Sequence, residues 1–216
     1  LFEISKTVVI AASKNDTSTL RICDWIDEFY TLLLAKFTFY FHDVLKPRCL
    51  ADFDHTIVAM KSPNFVQLFG SFQRKTEPLA ILIIANRCDA SDISPIIGYS
   101  SRSEFSEESE LRKNFVVLLR MGIEMHDLQP LLPSISALIQ ESAARANSAP
   151  ERITYCYDQM IFRSFFVLPV EYNFYVAIVF ARKVGERDSA VVNFLLSNCS
   201  QLRGSKVFQS LRKCSN

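Results

Sequence analysis

Apolar residues recur at helical spacing over a long stretch near the start of the chain. The series covers residues 20–44, with Asp16 or Thr17 placed to cap its first turn and Pro47 placed to end it. Within this series, Leu32–Phe41 (LLLAKFTFYF) is apolar almost all round. A helix on a protein surface is usually apolar on one side only. The pattern therefore predicts a long helix that is buried on more than one face.

A shorter apolar stripe predicts a second helix over Pro63–Arg74, with Ser62 as its N-cap. Two almost entirely apolar segments follow, Pro78–Ala85 and Asn114–Met121, and their length is typical of buried strands. The segment between them, Ser100–Lys113, is polar and rich in Ser and Glu. We predict that it is a mobile loop.

The remainder of the chain alternates between helix-like and strand-like patterns. The first predicted element is a helix from Leu128 to about Ala146, capped by Asp127. A weak strand at Ile153–Tyr157 follows, and then two strands at Met160–Leu168 and Glu171–Lys183, which a hairpin at Pro169-Val170 joins. The last predicted elements are a helix that Arg187-Asp188-Ser189 opens and that ends near Leu202, and a helical turn at Ser205–Leu211.

The order of these elements predicts an α+β fold, in which N-terminal helices precede an antiparallel sheet with flanking helices. From residue 78 onward the order is the one that occurs in the roadblock and longin folds. We therefore expect a helical segment over residues 1–76, the remnant of a helical N-terminal half, and a roadblock/longin-like domain over residues 77–216.

Composition narrows the class of protein further. The chain has 216 residues, of which 49% are hydrophobic, and 24 Lys and Arg against 23 Asp and Glu give a net charge of +1. Disorder would need fewer apolar residues and more net charge, and a polybasic binder of nucleic acid or of membranes would need a global positive field. Both classes are excluded. The 18 Phe residues indicate a thick core, and we expect the surplus of aromatic side chains to lie at an interface with a partner.

The cysteines and the ends of the chain give further bounds. The six cysteines form no C-x-x-C pair and no zinc-ligand spacing, so we predict reduced, mostly buried thiols. Cys156, between Tyr155 and Tyr157, is predicted to be buried. Leu1 in place of Met indicates a fragment or an incomplete gene model. The longest apolar run, Phe174–Ala181, has eight residues, whereas a bilayer needs roughly 20, so no transmembrane segment is expected.

One string is typical of an enzyme. Asp52-Phe53-Asp54-His55-Thr56 resembles the D-x-D-x-T signature of haloacid-dehalogenase-type phosphatases, in which the first Asp attacks phosphorus and the second protonates the leaving group and helps to hold Mg²⁺. That chemistry needs a buried strand before the first Asp, but Lys46–Ala51 contains a Pro and only three apolar residues. We interpret the string as an acidic loop. A phosphatase using Asp52 and Asp54 is the alternative, and otherwise no catalytic residue, cofactor or metal ligand is predicted.

Basic residues are concentrated toward the C-terminus. They are Arg182, Lys183, Arg187, Arg203, Lys206, Arg212 and Lys213. A solvated face is the simplest interpretation of such residues. Contact with an acidic partner or with an anionic membrane surface is the alternative.

Several segments resemble the C-terminal half of the KICSTOR complex subunit 2 family. The strongest is Leu33–Leu45 (LLAKFTFYFHDVL), which is similar to the family's LLAKFSFYFHEAL. Further similar segments follow in matching order at Lys61–Phe65, Ser71–Lys75, Ile83–Arg87, Phe174–Phe180, Glu186–Ser189, Phe194-Leu195 and Lys206–Leu211. The resemblance covers about residues 30–211, separated by divergent loops. The family's helical N-terminal half is absent, and Asp52–Thr56 has no counterpart in the family pattern.

The resemblance implies a non-enzymatic scaffold. KICSTOR is a lysosome-associated assembly that recruits the GATOR GTPase-activating complex and restrains TOR signalling when amino acids or glucose run short. The implied partners are the other KICSTOR subunits and GATOR, with no nucleic acid, and homo-oligomerisation is left open. The implied location is cytoplasmic and peripheral at the lysosomal membrane.

The long apolar helix is the candidate interaction surface, either for the N-terminal half or for another subunit. Its candidate residues are Leu33, Lys36, Phe37, Tyr40, Phe41 and His42.

Overall fold

A five-stranded antiparallel sheet organises the protein. The computed structural model describes residues 17–45, 63–86, 115–145 and 151–214. The strands of the sheet are β1 (Ala80–Asn86), β2 (Phe115–Met121), β3 (Thr154–Asp158), β4 (Arg163–Glu171) and β5 (Phe174–Phe180). Their order across the sheet is β2-β1-β5-β4-β3, and all neighbouring pairs are antiparallel.

Helices cover both faces of this sheet. In chain order the described helices are α1 (Thr17–Tyr40), α2 (His42–Leu45), α3 (Phe65–Thr76), α4 (Met125–Leu128), a 3-10 turn (Gln129–Leu131), α5 (Leu132–Arg145), α6 (Ser189–Leu202) and α7 (Ser205–Cys214). The α+β prediction is confirmed. The element order from β1 onward is also the one that suggested a roadblock/longin-like fold. The division of the chain at residue 76 stays a prediction.

Strand β1 shows why the central segments are apolar throughout. All seven of its residues are buried. Side chains alternate between the two faces of a strand, so Ile81 and Ile83 pack on the side of α1, α3 and α6, whereas Leu82 and Ile84 pack on the side of α4 and α5. A strand with helices on both sides therefore has no alternation of apolar and polar residues, and the only polar residue of β1 is Asn86 at its end.

The starts of several helices differ from the prediction. Asn64, not Ser62, is the N-cap of α3, because its side chain accepts a hydrogen bond from the backbone N–H of Gln67 at 3.0 Å. Ser62 lies outside the described residues. Asp127 lies inside α4 rather than capping a longer helix, since the chain there passes through a 3-10 turn before α5 begins. Asp188 caps α6, which therefore starts within the Arg187-Asp188-Ser189 segment that was predicted to open it.

The hairpin predicted at Pro169-Val170 is wrong. Both residues lie within β4, and the turn falls at Tyr172-Asn173. Asn173 has φ = 61°, a left-handed conformation that Asn adopts more readily than most residues. Pro169 is tolerated in the strand because the pairing with β5 is irregular there, and a proline has no backbone N–H to donate.

Candidate interaction site on helix α1

The inner side of α1 packs into the core beside the sheet. Leu32, Ala35, Phe39 and Tyr40 are buried there. Phe39 is fully buried, and its ring centroid lies 4.6 Å from that of Phe69 on α3. The series of apolar residues along α1 therefore has one side that the fold itself requires.

A polar contact joins the end of α1 to the turn between β4 and β5. Lys36 forms an ion pair with Glu171, and the Tyr40 hydroxyl donates a hydrogen bond to Glu171 Oε1 at 3.2 Å. The Tyr40 ring also stacks on Phe174, with centroids 5.5 Å apart. Burial, together with the negative charge of Glu171, raises the pKa of the Tyr40 hydroxyl, which therefore remains a hydrogen-bond donor.

Helix α7 holds the first half of α1 in place. Trp25 Nε1 donates a hydrogen bond to the backbone oxygen of Val207 at 2.7 Å. The Trp25 ring stacks on Phe29 at 5.2 Å, and Phe208 meets Phe29 edge-on at 5.7 Å. Because Trp25 is the only tryptophan in the chain, its fluorescence reports on this contact.

The outer side of α1 carries a stripe of apolar side chains, most of which are exposed in the part of the chain that the structure describes. We define the outer stripe as Ile22, Ile26, Tyr30, Leu33 and Phe37. Four of these side chains are exposed, with Phe37 at 49%, and Leu33 is partly exposed. They recur at spacings of three and four residues, which places them along one side of the helix over about 22 Å. A continuous apolar seam of this kind is typical of a surface that binds another helix.

The candidate residues divide between these two sides. Leu33 and Phe37 belong to the outer stripe, and Phe41 follows it, with its ring stacked on Phe37 at 6.1 Å. Lys36 and Tyr40 instead bind Glu171 within the fold.

His42 begins α2, where its Nδ1 lies 3.3 Å from Asp43 Oδ1. Asp43 in turn accepts a hydrogen bond from the backbone N–H of Arg120. His42 thus lies next to the residue that links the end of the helix to β2.

Three residues of the outer stripe were absent from the candidate set, namely Ile22, Ile26 and Tyr30. Their i, i+4 spacing is visible in the sequence. The spacing places them along one side of the helix. Sequence periodicity could not distinguish them from core positions, because it cannot show which of two apolar sides meets the sheet.

Comparison with known proteins decides the family. The family model described as KICSTOR complex C12orf66 like matches residues 3–216. The chain belongs to this family. It is 26% identical to KICSTOR subunit 2 of Xenopus laevis over 190 residues, which are 87% of this chain and 41% of that protein. It is also 26% identical to KICSTOR subunit 2 of Danio rerio over 192 residues, with the same shares covered. The chain thus spans about two fifths of the length of these curated relatives.

In this member of the KICSTOR C12orf66-like family, the segment most similar to the family pattern contributes side chains both to the core and to the surface. Leu33–Leu45 contributes Phe39 and Tyr40 to the core, and it contributes Leu33 and Phe37 to the outer stripe. The resemblance seen in the sequence is confirmed by the family match.

The basic residues near the C-terminus divide between the two ends of α6. Arg182, Lys183 and Arg187 precede the helix, and Arg203 and Lys206 follow it, about 21 Å further along the axis. Arg203 is engaged within the fold, since it donates hydrogen bonds to the backbone oxygen of Val170 and pairs with Glu151. The side chains of Arg212 and Lys213 lie outside the described residues. The described basic residues therefore do not form one patch.

The described parts of the chain contain few candidate sites for metal binding or catalysis. Within those parts, no group of three or more His, Cys, Asp or Glu side chains is placed to hold a metal ion. Asp52 and Asp54, like loop Ser100–Lys113, lie outside them. None of the helices that the structure describes has both the length and the hydrophobicity needed to cross a bilayer.

The described cysteines differ in exposure. The prediction that Cys156 is buried is wrong, since β3 lies at the edge of the sheet and turns this side chain to solvent. Cys199 is buried, and its burial raises the pKa of the thiol to about 12. Cys23 is intermediate. Cys49 and Cys88 lie outside the described residues, as does the side chain of Cys214.

The raised pKa of Cys199 predicts a loss of stability at alkaline pH. The pKa of the thiol in the unfolded chain is near its ordinary value of 9.0, whereas the folded thiol stays protonated up to about pH 12. The stabilisation is therefore complete below pH 9 and is lost between pH 9 and about 12, at most at about 1.4 kcal/mol per pH unit. Urea unfolding across this range should show a shallower decline for Cys199→Ala than for the parent. Cys156→Ala is the control and should decline like the parent. A parallel decline of all three proteins would contradict the assignment.

Proposed function

We propose that this protein is a non-enzymatic scaffold subunit of a KICSTOR-like complex. Its membership of the KICSTOR C12orf66-like family supports the assignment. The observation that carries the proposal is the exposure of the outer stripe of α1, because an exposed apolar side of a helix is the kind of surface that a permanent subunit buries.

The role that we propose for the complex is the one that the sequence resemblance implied. The subunit helps to recruit the GATOR GTPase-activating complex at the lysosomal membrane. It thereby acts as a negative regulator of TOR signalling when amino acids or glucose are short. The protein acts in the cytoplasm and is peripheral at that membrane.

We propose that another KICSTOR subunit occupies the outer stripe through an amphipathic helix. The stripe is about 22 Å long, and its residues are spaced at three and four positions, which fits a facing helix better than a loop. Exposed aromatic side chains such as Tyr30 and Phe37 lie along it, and aromatic residues dominate the energetics of many interfaces.

Charged substitutions in the outer stripe should release the partner subunits. We expect Ile26→Glu with Phe37→Glu to reduce the KICSTOR subunits that co-purify with the tagged protein by at least about tenfold, because carboxylates would be buried without partners. Quantitative mass spectrometry of the purified complexes measures the loss. The matched control is Leu196→Glu on α6, which places the same group at an apolar side chain of 37% exposure outside the stripe.

Two results would replace parts of this proposal. If the stripe variant retained every subunit but changed from dimer to monomer in light scattering, the occupant would be a second copy of the chain. If the purified protein released phosphate from phosphate esters in the presence of Mg²⁺, and Asp52→Asn abolished the release, the phosphatase alternative would stand instead.

A further inference from the structure

The turn between β3 and β4 exposes three large apolar side chains in succession. The last pair of the ladder is Asp158 with Arg163, so the turn consists of residues 159–162. Within it Met160 is 89% exposed and Phe162 66% exposed, and Ile161 is also exposed. Hairpin turns are usually built from Gly, Asn, Asp or Ser, which tolerate water and unusual dihedral angles. A turn made of Met, Ile and Phe therefore needs a reason other than turning the chain.

The same turn holds a bulky residue in a strained conformation. Phe162 has φ = 53°, which is in the left-handed region that a phenylalanine rarely adopts. Strain of this kind persists where the surrounding structure enforces it, and it is concentrated at functional sites. Asp158 supplies part of that enforcement, since its Oδ1 accepts hydrogen bonds from the backbone N–H groups of Met160, at 2.9 Å, and Ile161, at 3.4 Å. The apolar tip is thus preformed, and little ordering would be needed for it to bind.

Basic side chains lie at the base of this tip. Arg163 Nη1 lies 3.4 Å from the backbone oxygens of both Phe162 and Ala181. The next two residues on that side are Arg182 and Lys183, both of which are exposed. Arg182 Nη2 donates a hydrogen bond to the backbone oxygen of Thr76 at 2.9 Å. The Lys183 ammonium lies 5.2 Å from the centre of the Tyr157 ring on β3, which places it beside the hairpin. Cationic groups therefore border the apolar tip on the side of β5.

The other side of the tip carries both basic and acidic side chains. Ile161 and Arg163 line a cavity of about 770 Å³ there, together with Arg120, Glu124, His126 and Asp127. Arg120 forms an ion pair with Glu124, and His126 Nε2 lies 3.1 Å from Asp127 Oδ1. An anionic surface would therefore be attracted mainly on the β5 side.

We propose that the β3–β4 turn is a contact with an anionic lipid bilayer. Met160, Ile161 and Phe162 enter the headgroup region, and Arg163 and Lys183 contact anionic headgroups. A protruding apolar tip with cations at its base fits a membrane interface, where apolar side chains leave water while charged ones stay at the surface. The inference rests on the proposed function only for the identity of the membrane, the lysosomal one.

Vesicle binding by the purified full chain tests the proposal. We expect the protein to sediment with vesicles of phosphatidylcholine and phosphatidylserine, and less with phosphatidylcholine alone. Met160→Ser with Phe162→Gly should weaken the binding by about tenfold or more, because two apolar side chains no longer leave water. Glycine adopts φ = 53° without strain, so this variant should unfold no more readily than the parent. Lys183→Glu should weaken binding to the phosphatidylserine vesicles only.

Tyr172→Ser is the matched control. Tyr172 is 84% exposed on the turn at the opposite end of β4, about 26 Å from the β3–β4 turn. This variant should bind vesicles like the parent. Soluble phosphoserine added to the vesicles should compete poorly for the protein, because it offers the charge of the headgroup without the apolar layer.

Two outcomes would overturn the proposal. The first is that the parent does not sediment with anionic vesicles, or that the turn variant sediments with them as well as the parent does. The second is that the turn variant keeps vesicle binding but loses co-purifying subunits, which would make the turn a protein contact. Since the vesicles contain no other protein, the vesicle result stands apart from the outer-stripe experiment.

Discussion

Replacing Phe39 by alanine is expected to destabilise the protein by about 3–5 kcal/mol. Phe39 is fully buried, and its ring lies 4.6 Å from that of Phe69 and 5.8 Å from that of Phe65. The cavity left by the missing ring cannot collapse easily, because the rings of α3 are themselves held against α6 by Phe194. A loss of this size is a large part of the stability of an ordinary domain.

Phe37→Ala is the matched control for this change. The two residues are of the same type and two positions apart on the same helix, but Phe37 is 49% exposed. We expect its replacement to change stability by less than about 0.5 kcal/mol. Urea unfolding followed by circular dichroism and by Trp25 fluorescence measures both variants. Equal losses for the two would mean that the inner and outer sides of α1 are wrongly assigned.

The variants Phe39→Ala and Phe37→Ala also separate the stability of the protein from its binding to partner subunits. Phe39→Ala should lower subunit recovery only in proportion to the loss of folded protein, whereas Phe37→Ala should lower recovery at full stability. The family-like string therefore contains positions that the fold requires and positions that only the assembly requires, two residues apart.

The fold class could be predicted because helix and strand periods differ and because the central strands are apolar throughout. Pro78–Ala85 predicted β1 on that basis, and the strand is observed at Ala80–Asn86. The β4–β5 turn was misplaced because Pro169 is a strong local turn signal. The pairing of β4 with β5 overrode this signal and moved the turn to Asn173.

The candidate site could be predicted only in part. Periodicity located the helix and its apolar excess, and the family-like string directed attention to Leu33–Leu45. Neither could show that Lys36 would be neutralised by Glu171, since the two residues are 135 positions apart in sequence. The exposure of Met160 and Phe162 was missed for a similar reason, because Met160–Leu168 is apolar except at Arg163 and Ser164 and was predicted to be a single strand. Only the register with β3 shows where the strand begins.

Replacing Gly204 by alanine is expected to destabilise the protein by about 2–3 kcal/mol. Gly204 joins α6 to α7 with φ = 70°, a left-handed conformation that costs a residue with a Cβ about 1–2 kcal/mol. The added Cβ would also lie 2.6 Å from Leu32 Cδ2 and 3.3 Å from Phe208 Cε2. Leu32 is buried in the core, so its side chain has little room to withdraw.

The expected consequence of Gly204→Ala reaches α1. Moving Phe208 away would loosen α7 from Trp25, whose ring lies 6.5 Å from that of Phe208, and Trp25 emission should shift to longer wavelength. The control is Gly185→Ala, because a Cβ at Gly185 would meet no heavy atom within 4 Å. That variant should be as stable as the parent or more stable by up to about 1 kcal/mol. If Gly204→Ala unfolded at the parent's urea midpoint, α7 could not be the element that holds the first half of α1. The outer stripe would then depend for its position on the core packing of Phe39 and on the Glu171 contact.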